Sequence, residues 1–160
     1  MAHFNPWHDV SRGDNLPETV TGIIEIPKGS KGKYELDKES GLLKLDRVLF
    51  SAVHYPAAYG FIPRTYCDDK DPLDILVLVD EPSFPGVMIS ARPVGLLEMV
   101  DQNEPDEKIL AVPNRNPRFD QIHTIDQVFA HNLREIVHFF AIYQELENKK
   151  TEMRGWRGPR

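Results

Sequence analysis

The stretch DILVLV at residues 74–79 decides the fold class of this chain, because a short apolar, β-branched run is typical of a buried strand. Further strands are predicted outward from it, at residues 20–26, 33–36, 88–94, 94–99 and 109–112, with 42–53 also extended. Gly, Pro and Asp residues separate these segments and are typical of turns. The pattern favours a small closed barrel over a sandwich, and by itself it does not settle that choice.

One long helix is predicted near the end of the chain, over about residues 126–147. Thr124 and Gln127 match the capping-box pattern, in which two side chains satisfy backbone donors at a helix start. Apolar residues then recur at spacings of 4, 3, 4 and 3, which places them on one helix face. They are Phe129, Leu133, Ile136, Phe140 and Tyr143. The predicted class is therefore a β-barrel with this helix packed on it.

The composition is that of an ordinary globular protein. Of 160 residues, 41% are hydrophobic and 28% are charged, which argues against intrinsic disorder. The length fits a single domain over residues 1–160, with an irregular segment at 1–19 that Pro6, Gly13 and Pro17 interrupt. No apolar run approaches the ~20 residues that span a bilayer, and no signal-peptide pattern is present, so no membrane partner is expected. The one cysteine, Cys67, has no partner for an internal disulfide, which favours the cytoplasm.

The net charge is −6, from 25 acidic and 19 basic residues. A general nucleic-acid binder needs a cationic surface to replace the counterions around phosphates, so no nucleic-acid partner is expected. An acidic protein can still bind a phosphate compound through a local group of cations or through bound metal ions. The net charge therefore does not exclude a phosphate compound as substrate.

The segment DKDPLD at residues 69–74 places three carboxylates within six residues. Asp69, Asp71 and Asp74 would repel one another unless a cation lay between them, and Mg²⁺ prefers such oxygen ligands. By spacing alone an exposed acidic turn is the commoner outcome. A calcium loop of the EF-hand type fits poorly, because Asp74 and Asp80 stand where that loop needs Gly and Glu.

A second acidic pair, Asp101 and Asp106, flanks a short polar segment. Alone it indicates a solvated hairpin turn. Together with the first acidic segment, it could hold more than one metal ion at the ends of barrel strands, as two-metal phosphoryl-transfer sites do.

Cations and phenols complete the candidate chemistry, because hydrolysis of a phosphoanhydride requires neutralisation of the developing charge. Lys33 and Glu35 share one strand face, Arg47 lies in a mostly apolar stretch, and Tyr55 and Tyr59 lie in a tight, rigid turn. Each also has an ordinary structural interpretation. Lys33 and Glu35 would form a weak surface ion pair, and the tyrosines would be core aromatics.

Taken in order, these segments resemble the family I soluble inorganic pyrophosphatases, over about residues 20–156. The resemblance is carried by KYE at 33–35, DR at 46–47, YPAAYG at 55–60, DKDPLD at 69–74, RPVG at 92–95, Asp101, Asp106, Lys108, AVP at 111–113, HFF at 138–140, Tyr143 and GW at 155–156.

The resemblance implies a mostly β fold with flanking α, namely a five-stranded, OB-like closed barrel with a long C-terminal helix. It implies hydrolysis of inorganic diphosphate by metal-activated water, and a homo-oligomer with a hexamer favoured. Several Mg²⁺ ions would be bound in each site, with Mn²⁺ or Zn²⁺ as possible substitutes. Their implied ligands are Glu35, Asp69, Asp74, Asp101 and Asp106.

By the same resemblance Asp71 is the general base, or the group that orients the attacking hydroxide. The implied substrate-binding residues are Lys33, Arg47, Tyr59, Lys108 and Tyr143. Two positions depart from the family pattern. Lys70 replaces a small or polar residue, and Gln144 stands where many members have a phosphate-binding Lys. Because an amide brings no charge, we expect weaker substrate binding than with Lys at position 144.

An alternative to the enzyme is a non-catalytic OB-like module that binds nucleotides, nucleic acid or metal. The acidic net charge argues against nucleic acid. A binding module also has no need of Asp71 beside Asp69 and Asp74. The sequence therefore favours the enzyme.

Overall fold

The computed structural model describes residues 4–66 and 71–158. The strands in these ranges are β1 Val20–Ile26, β2 Gly32–Leu36, β3 Leu43–Val48, β4 Ala58–Phe61, β5 Asp74–Val77, β6 Met88–Asp101, β7 Glu104–Pro105, β8 Lys108–Pro113 and β9 Thr151–Arg157. The α-helices are α1 Pro6–Asp9 and α2 Ala130–Ile142. Single 3₁₀ turns lie at Pro117–Phe119, Ile125–Gln127 and Glu145–Glu147.

Five of the strands close into a ring in the order β1-β4-β5-β8-β6, with β6 pairing back onto β1. All neighbours in the ring are antiparallel except β5 and β8, which run parallel. The predicted fold class, mostly β with one C-terminal helix, is confirmed. Two strands were predicted between residues 88 and 99, whereas β6 is one strand with a register shift between Pro93 and Gly95. A bulge of this kind bends a strand without ending it.

The hairpin of β2 and β3 forms a separate two-stranded sheet beside the ring. Its antiparallel register places Lys33 opposite Arg47 and Glu35 opposite Lys44. Charged side chains on β2 therefore face charged side chains on β3. The predicted segment 42–53 is a strand only over Leu43–Val48.

The apolar run on β5 is buried on both faces, as the stretch at residues 74–79 predicted. Leu76 packs in the cluster that also holds Phe139 and Phe140 of α2, while Ile75 and Val77 pack in a second cluster on the other face. Alternate residues of a strand point to opposite faces, so a strand covered on both sides must be apolar throughout.

The C-terminal helix is shorter than the predicted span of 126–147 and runs over Ala130–Ile142. The capping-box pair is formed, but it closes the 3₁₀ turn at Ile125–Gln127, where Gln127 Oε1 accepts from the Thr124 N–H at 3.1 Å. Phe129 then has non-helical backbone, with φ −56° and ψ 122°, and is 72% exposed, so its predicted place on the packed helix face is wrong. Ile136, Phe140 and Tyr143 are buried as predicted.

The N-terminal segment, predicted to be irregular, contains α1 and packs against the loop that follows β4. The indole N–H of Trp7 donates to the backbone oxygen of Thr65 at 2.7 Å, and the Arg64 N–H donates to the backbone oxygen of Trp7 at 2.7 Å. The ammonium group of Lys38 lies 5.1 Å from the centre of the Trp7 ring. This segment is therefore fixed to two loops at once.

Three strands were not predicted from the sequence, namely β4, β7 and β9. Residues 55–60 were predicted as a tight turn, but residues Ala58–Phe61 form β4, in which Gly60 permits close approach to β1. A Cβ atom at Gly60 would lie 1.8 Å from the Ile23 backbone oxygen. Strand β4 was not predicted because Pro56 and Gly60 are residues typical of turns. Strand β7 has only two residues, and the sequence of β9 is largely polar, so neither was recognised as a strand.

We expect Gly60→Ala to destabilise the fold by at least about 3 kcal/mol, because the added methyl meets backbone atoms of β1 that cannot rotate away. Urea unfolding followed by circular dichroism measures the loss. Gly158→Ala is the matched control, since its added Cβ would have ordinary contact with Ile125 at 3.9 Å. Equal stability of the two variants would contradict the strand packing described here.

Candidate active site

A polar cleft of about 530 Å³ lies at one end of the ring, beside β2. The parallel register of β5 and β8 places the first residues of both strands, Asp74 and Lys108, directly opposite each other. Tyr59 of β4 pairs with Leu76 of β5, two residues along the strand from Asp74, and its hydroxyl lies 2.9 Å from the Lys108 ammonium nitrogen. The strand ends thus bring an acid, an amine and a phenol to one place, although they are far apart in sequence.

Lys108 is the centre of this cleft and is only 1% exposed. Its ammonium nitrogen lies 2.9 Å from Asp74 Oδ2, 2.9 Å from the Tyr59 hydroxyl and 3.2 Å from both carboxylate oxygens of Asp106. It also lies 4.9 Å from the Tyr59 ring centre and 5.1 Å from that of Phe140, within cation–π range. A buried charge is tolerated only when paired in this way.

Burial shapes the acid–base behaviour of the cluster. It raises the pKa of Asp74 to about 6, since burial and the neighbouring Asp106 outweigh the attraction of Lys108. Burial alone would lower the pKa of Lys108, but Asp74 and Asp106 together raise it. Burial and the Asp106 carboxylate also raise the pKa of Asp101. The single ammonium group therefore leaves negative charge that a further cation would stabilise.

A second cluster surrounds Arg47 on β3. Its Nε lies 2.6 Å from Glu147 Oε1, and its Nη1 forms a short ion pair with Asp46. Burial would lower the pKa of Arg47, but Glu147 and Asp46 raise it. Lys33 lies 3.5 Å from the same Asp46 carboxylate and 3.7 Å from Glu35. The hairpin thus presents two cations that carboxylates hold in place.

Asp71 lies at the mouth of the cleft, where its Oδ1 is 2.5 Å from the ammonium group of Lys38. Both side chains are about half exposed. A carboxylate at this edge is open to water, as a general base requires.

The structure brings most of the predicted site residues together. Those that line the cleft are Lys33, Glu35, Tyr59, Asp71, Asp74, Asp101, Asp106, Lys108 and Tyr143. Of the predicted residues within the described ranges, only Arg47 is absent from the cleft lining, and its neighbour Gln144 lies there instead. Asp69, Lys70 and Cys67 lie outside the described residues, so the prediction that Asp69 binds a metal stays a prediction.

The oxygen-rich donor set fits a hard divalent cation, which takes carboxylate oxygens and retains waters. Asp74 and Asp106 approach the same ammonium group, so two carboxylates share one fixed positive charge. Within residues 4–66 and 71–158, no three His, Cys, Asp or Glu side chains form a ready-made metal site. Bound water would therefore be needed among the ligands of a cation held by these described residues.

Sequence analysis missed several groups that shape the site. Glu25 on β1 lines the cleft, although it is only 8% exposed, and its Oε2 accepts from the Leu36 N–H at 2.7 Å. Burial raises the pKa of Glu25 to about 8. A lone acid within the apolar run of residues 20–26 was the available signal. No local sequence signal identified Lys38 or Glu147, because each contacts a partner that is distant in sequence.

An acidic cleft with a buried lysine, two tyrosines and paired cations, on a closed ring of five strands, defines a candidate enzyme of phosphate chemistry. Residues 22–160 match the Pyrophosphatase family, described as inorganic pyrophosphatase. The chain belongs to this family, and the predicted family is confirmed. A divalent metal cofactor is general among its members.

Individual relatives of the chain are also inorganic pyrophosphatases. The chain is 50% identical over 151 residues to the inorganic pyrophosphatase of Synechocystis sp., covering 93% of this chain and 89% of the relative. It is 49% identical over 153 residues to that of Haloferax volcanii, covering 95% and 86%. The crystal structure of inorganic pyrophosphatase from Thermus thermophilus superposes with a TM-score of 0.92 at 44% identity, covering 96% and 90%. The prediction of an inorganic diphosphatase is confirmed.

None of the helices in the described ranges combines the length and the apolarity that crossing a bilayer requires.

We expect Glu25→Gln to stabilise the fold increasingly as pH rises from 4.5 to about 8, and by more than about 1 kcal/mol at pH 8. In the wild type the unfolded chain loses the Glu25 proton near pH 4.5, whereas the folded state holds it up to about pH 8. Unfolding therefore releases a proton in this window, so wild-type stability falls as pH rises through it.

Urea unfolding at several pH values, with a chelator present, measures this difference. Glu81→Gln, at an exposed position, is the control for loss of one negative charge. A gain that is constant with pH, or shared by the control, would count against a buried, protonated Glu25.

Proposed function

We propose that this chain hydrolyses inorganic diphosphate to two phosphate ions, with water made reactive by divalent cations in the acidic cleft. The observation that carries the proposal is the buried Lys108, held within 3.2 Å of Asp74, Asp106 and Tyr59. Such a cluster supports stabilisation of anionic oxygens, because a fixed cation in a poorly hydrated site needs no reorganisation as charge develops.

The proposed metal ligands are Glu35, Asp69, Asp74, Asp101 and Asp106, and several Mg²⁺ ions are proposed for each site. When bound, these ions supply positive charge that acidifies water and neutralises the diphosphate. The all-oxygen set at Asp74, Asp101 and Asp106 favours Mg²⁺, with Mn²⁺ or Zn²⁺ as possible substitutes.

Asp71 is the proposed general base. Its half-exposed carboxylate faces the cleft mouth and can accept a proton from the attacking water. Lys38, at 2.5 Å, holds the carboxylate at that position. The proton then leaves to solvent, because this edge of the cleft is open.

Lys33, Tyr59, Lys108 and Tyr143 are proposed to donate hydrogen bonds to phosphoryl oxygens. Tyr59 and Tyr143 remain phenols that donate, because burial raises the pKa of each well above its ordinary value. Arg47 lies behind this layer and contributes its charge from there. Attack at phosphorus then needs no covalent enzyme intermediate.

The alternative of a non-catalytic binding module is not favoured, because the family and the relatives are named for the enzyme. The finer proposals are a cytoplasmic location and a homo-oligomer, with a hexamer favoured by family resemblance. Large exposed apolar side chains such as Phe50, Phe84 and Phe129 support self-association.

Asp71→Asn should lower phosphate release from diphosphate by about 100-fold or more, because the amide cannot accept the proton. A colorimetric phosphate assay with Mg²⁺ measures the loss. Asp126→Asn, an exposed carboxylate away from the cleft, is the matched control. Full activity of Asp71→Asn would overturn the role of Asp71.

Removal of divalent metal by a chelator should abolish phosphate release, and Mg²⁺ should restore it, because the carboxylates of the cleft carry too much negative charge to accept diphosphate alone. The assay is repeated with Mn²⁺ and Zn²⁺. Absence of phosphate release from the wild type with every metal would contradict the proposed function.

A further inference from the structure

Gln144 lines the cleft between Asp101 and the cluster around Arg47. It directly follows the buried Tyr143 at the end of α2 and is only 5% exposed. With its amide oriented to suit its neighbours, its nitrogen donates to Asp101 Oδ1 at 3.3 Å. Its oxygen accepts from Arg47 Nη2 at 3.1 Å and from the Tyr143 hydroxyl at 3.1 Å. One neutral side chain therefore joins a carboxylate, a guanidinium group and a phenol.

The contact to Arg47 completes a three-sided support for its guanidinium group. Asp46 pairs with Nη1, and the carboxylate of Glu147, whose side chain is only 6% exposed, forms an ion pair with Nε. Gln144 holds the remaining edge, Nη2, and is the member of this group that lines the cleft. Hydrogen bonds to charged groups in such buried settings are stronger than those between neutral groups.

We infer that Gln144 is a positioning residue that fixes Arg47 and Tyr143, on the anion-binding side of the site, against Asp101 on the metal side. This inference rests on the proposed function, because it assigns those two groups to the binding of diphosphate. Gln144 acts through them and fixes the places of the guanidinium group and the phenol ring before the substrate arrives, after which the single Tyr143 O–H proton turns from the Gln144 oxygen to a phosphoryl oxygen. Preorganisation of this kind strengthens binding by removing the entropy loss of ordering the groups later.

For Gln144→Lys, the inference predicts a change in diphosphate affinity opposite to the one that charge alone predicts. A Lys at position 144 would add a cation to the cleft, which predicts tighter binding of diphosphate. Lysine has three donors and no acceptor, however, so it cannot accept from Arg47 or Tyr143. Gln144→Lys is therefore expected to weaken substrate binding.

A double-mutant cycle tests the coupling directly. Gln144→Leu keeps the approximate size and removes all three hydrogen bonds. We expect it to raise KM for magnesium diphosphate about tenfold, with a smaller change in kcat. The Kd of inorganic phosphate, measured by calorimetry with Mg²⁺ present, should rise by a similar factor. In an Arg47→Ala background the same substitution should change either constant by less than about threefold, since one of the two groups that Gln144 positions is gone.

The control is Glu145→Gln, at the exposed neighbouring position in the same turn, which should leave KM and the phosphate Kd unchanged. Melting temperatures identify any variant that has lost its fold. If Gln144→Leu does not fold, Gln144→Lys supplies the test with a long side chain that can extend into the cleft. An unchanged or lower KM for Gln144→Lys would overturn the inference, and so would full additivity with Arg47→Ala.

Failure of the proposed function has a different signature. A wild-type chain that releases no phosphate but shows the non-additive phosphate Kd values would contradict diphosphate hydrolysis and support the positioning role. A wild-type chain that hydrolyses diphosphate with additive variants would support the function and overturn the role of Gln144.

Discussion

The pairing of one buried ammonium group with its carboxylates is the constraint on which the rest of this structure depends. Lys108 is almost wholly buried, and an unpaired charge there would cost several kcal/mol. Asp74 can balance it only because β5 and β8 run parallel in a register that sets the two residues side by side. The one parallel pairing in the ring is therefore what assembles the site.

The same pairing sets the electrostatic character of the cleft. Lys108 attracts two carboxylates, yet Asp74 still has a raised pKa because burial outweighs that attraction. The acids of the cleft thus have few positive charges near them, and little water screens their negative charge. Divalent cations and an anionic substrate would complete this balance together, which fits a site for a metal–diphosphate complex.

Much of this fold could be predicted from the sequence, because buried strands and helices have a recognisable pattern of apolar residues. The continuous apolar run of β5 identified a doubly covered strand, and β1 was predicted with its observed bounds. Strand β4 was hidden, because Gly60 serves close packing against Ile23 in a segment that also looks like a turn. The helix was predicted too long, since a capping pattern marks a hydrogen-bonded start and does not reveal the length of the element that it closes.

The site was predicted almost entirely through family resemblance, since each residue alone had an ordinary interpretation. What sequence could not supply was the set of contacts between distant segments. Arg47 meets Glu147 across about 100 positions of sequence, and Glu25 meets the backbone of Leu36 in another strand. Such pairings follow from the closed ring and leave no local trace in the chain.

The N-terminal segment has a practical consequence of its own. Trp7 is hydrogen-bonded to the loop after β4 and lies beneath Lys38, the partner of Asp71. The indole is therefore a natural chromophore placed two contacts away from the proposed base. Its emission spectrum, separated from that of Trp156, provides an optical record of the cleft mouth without any attached dye.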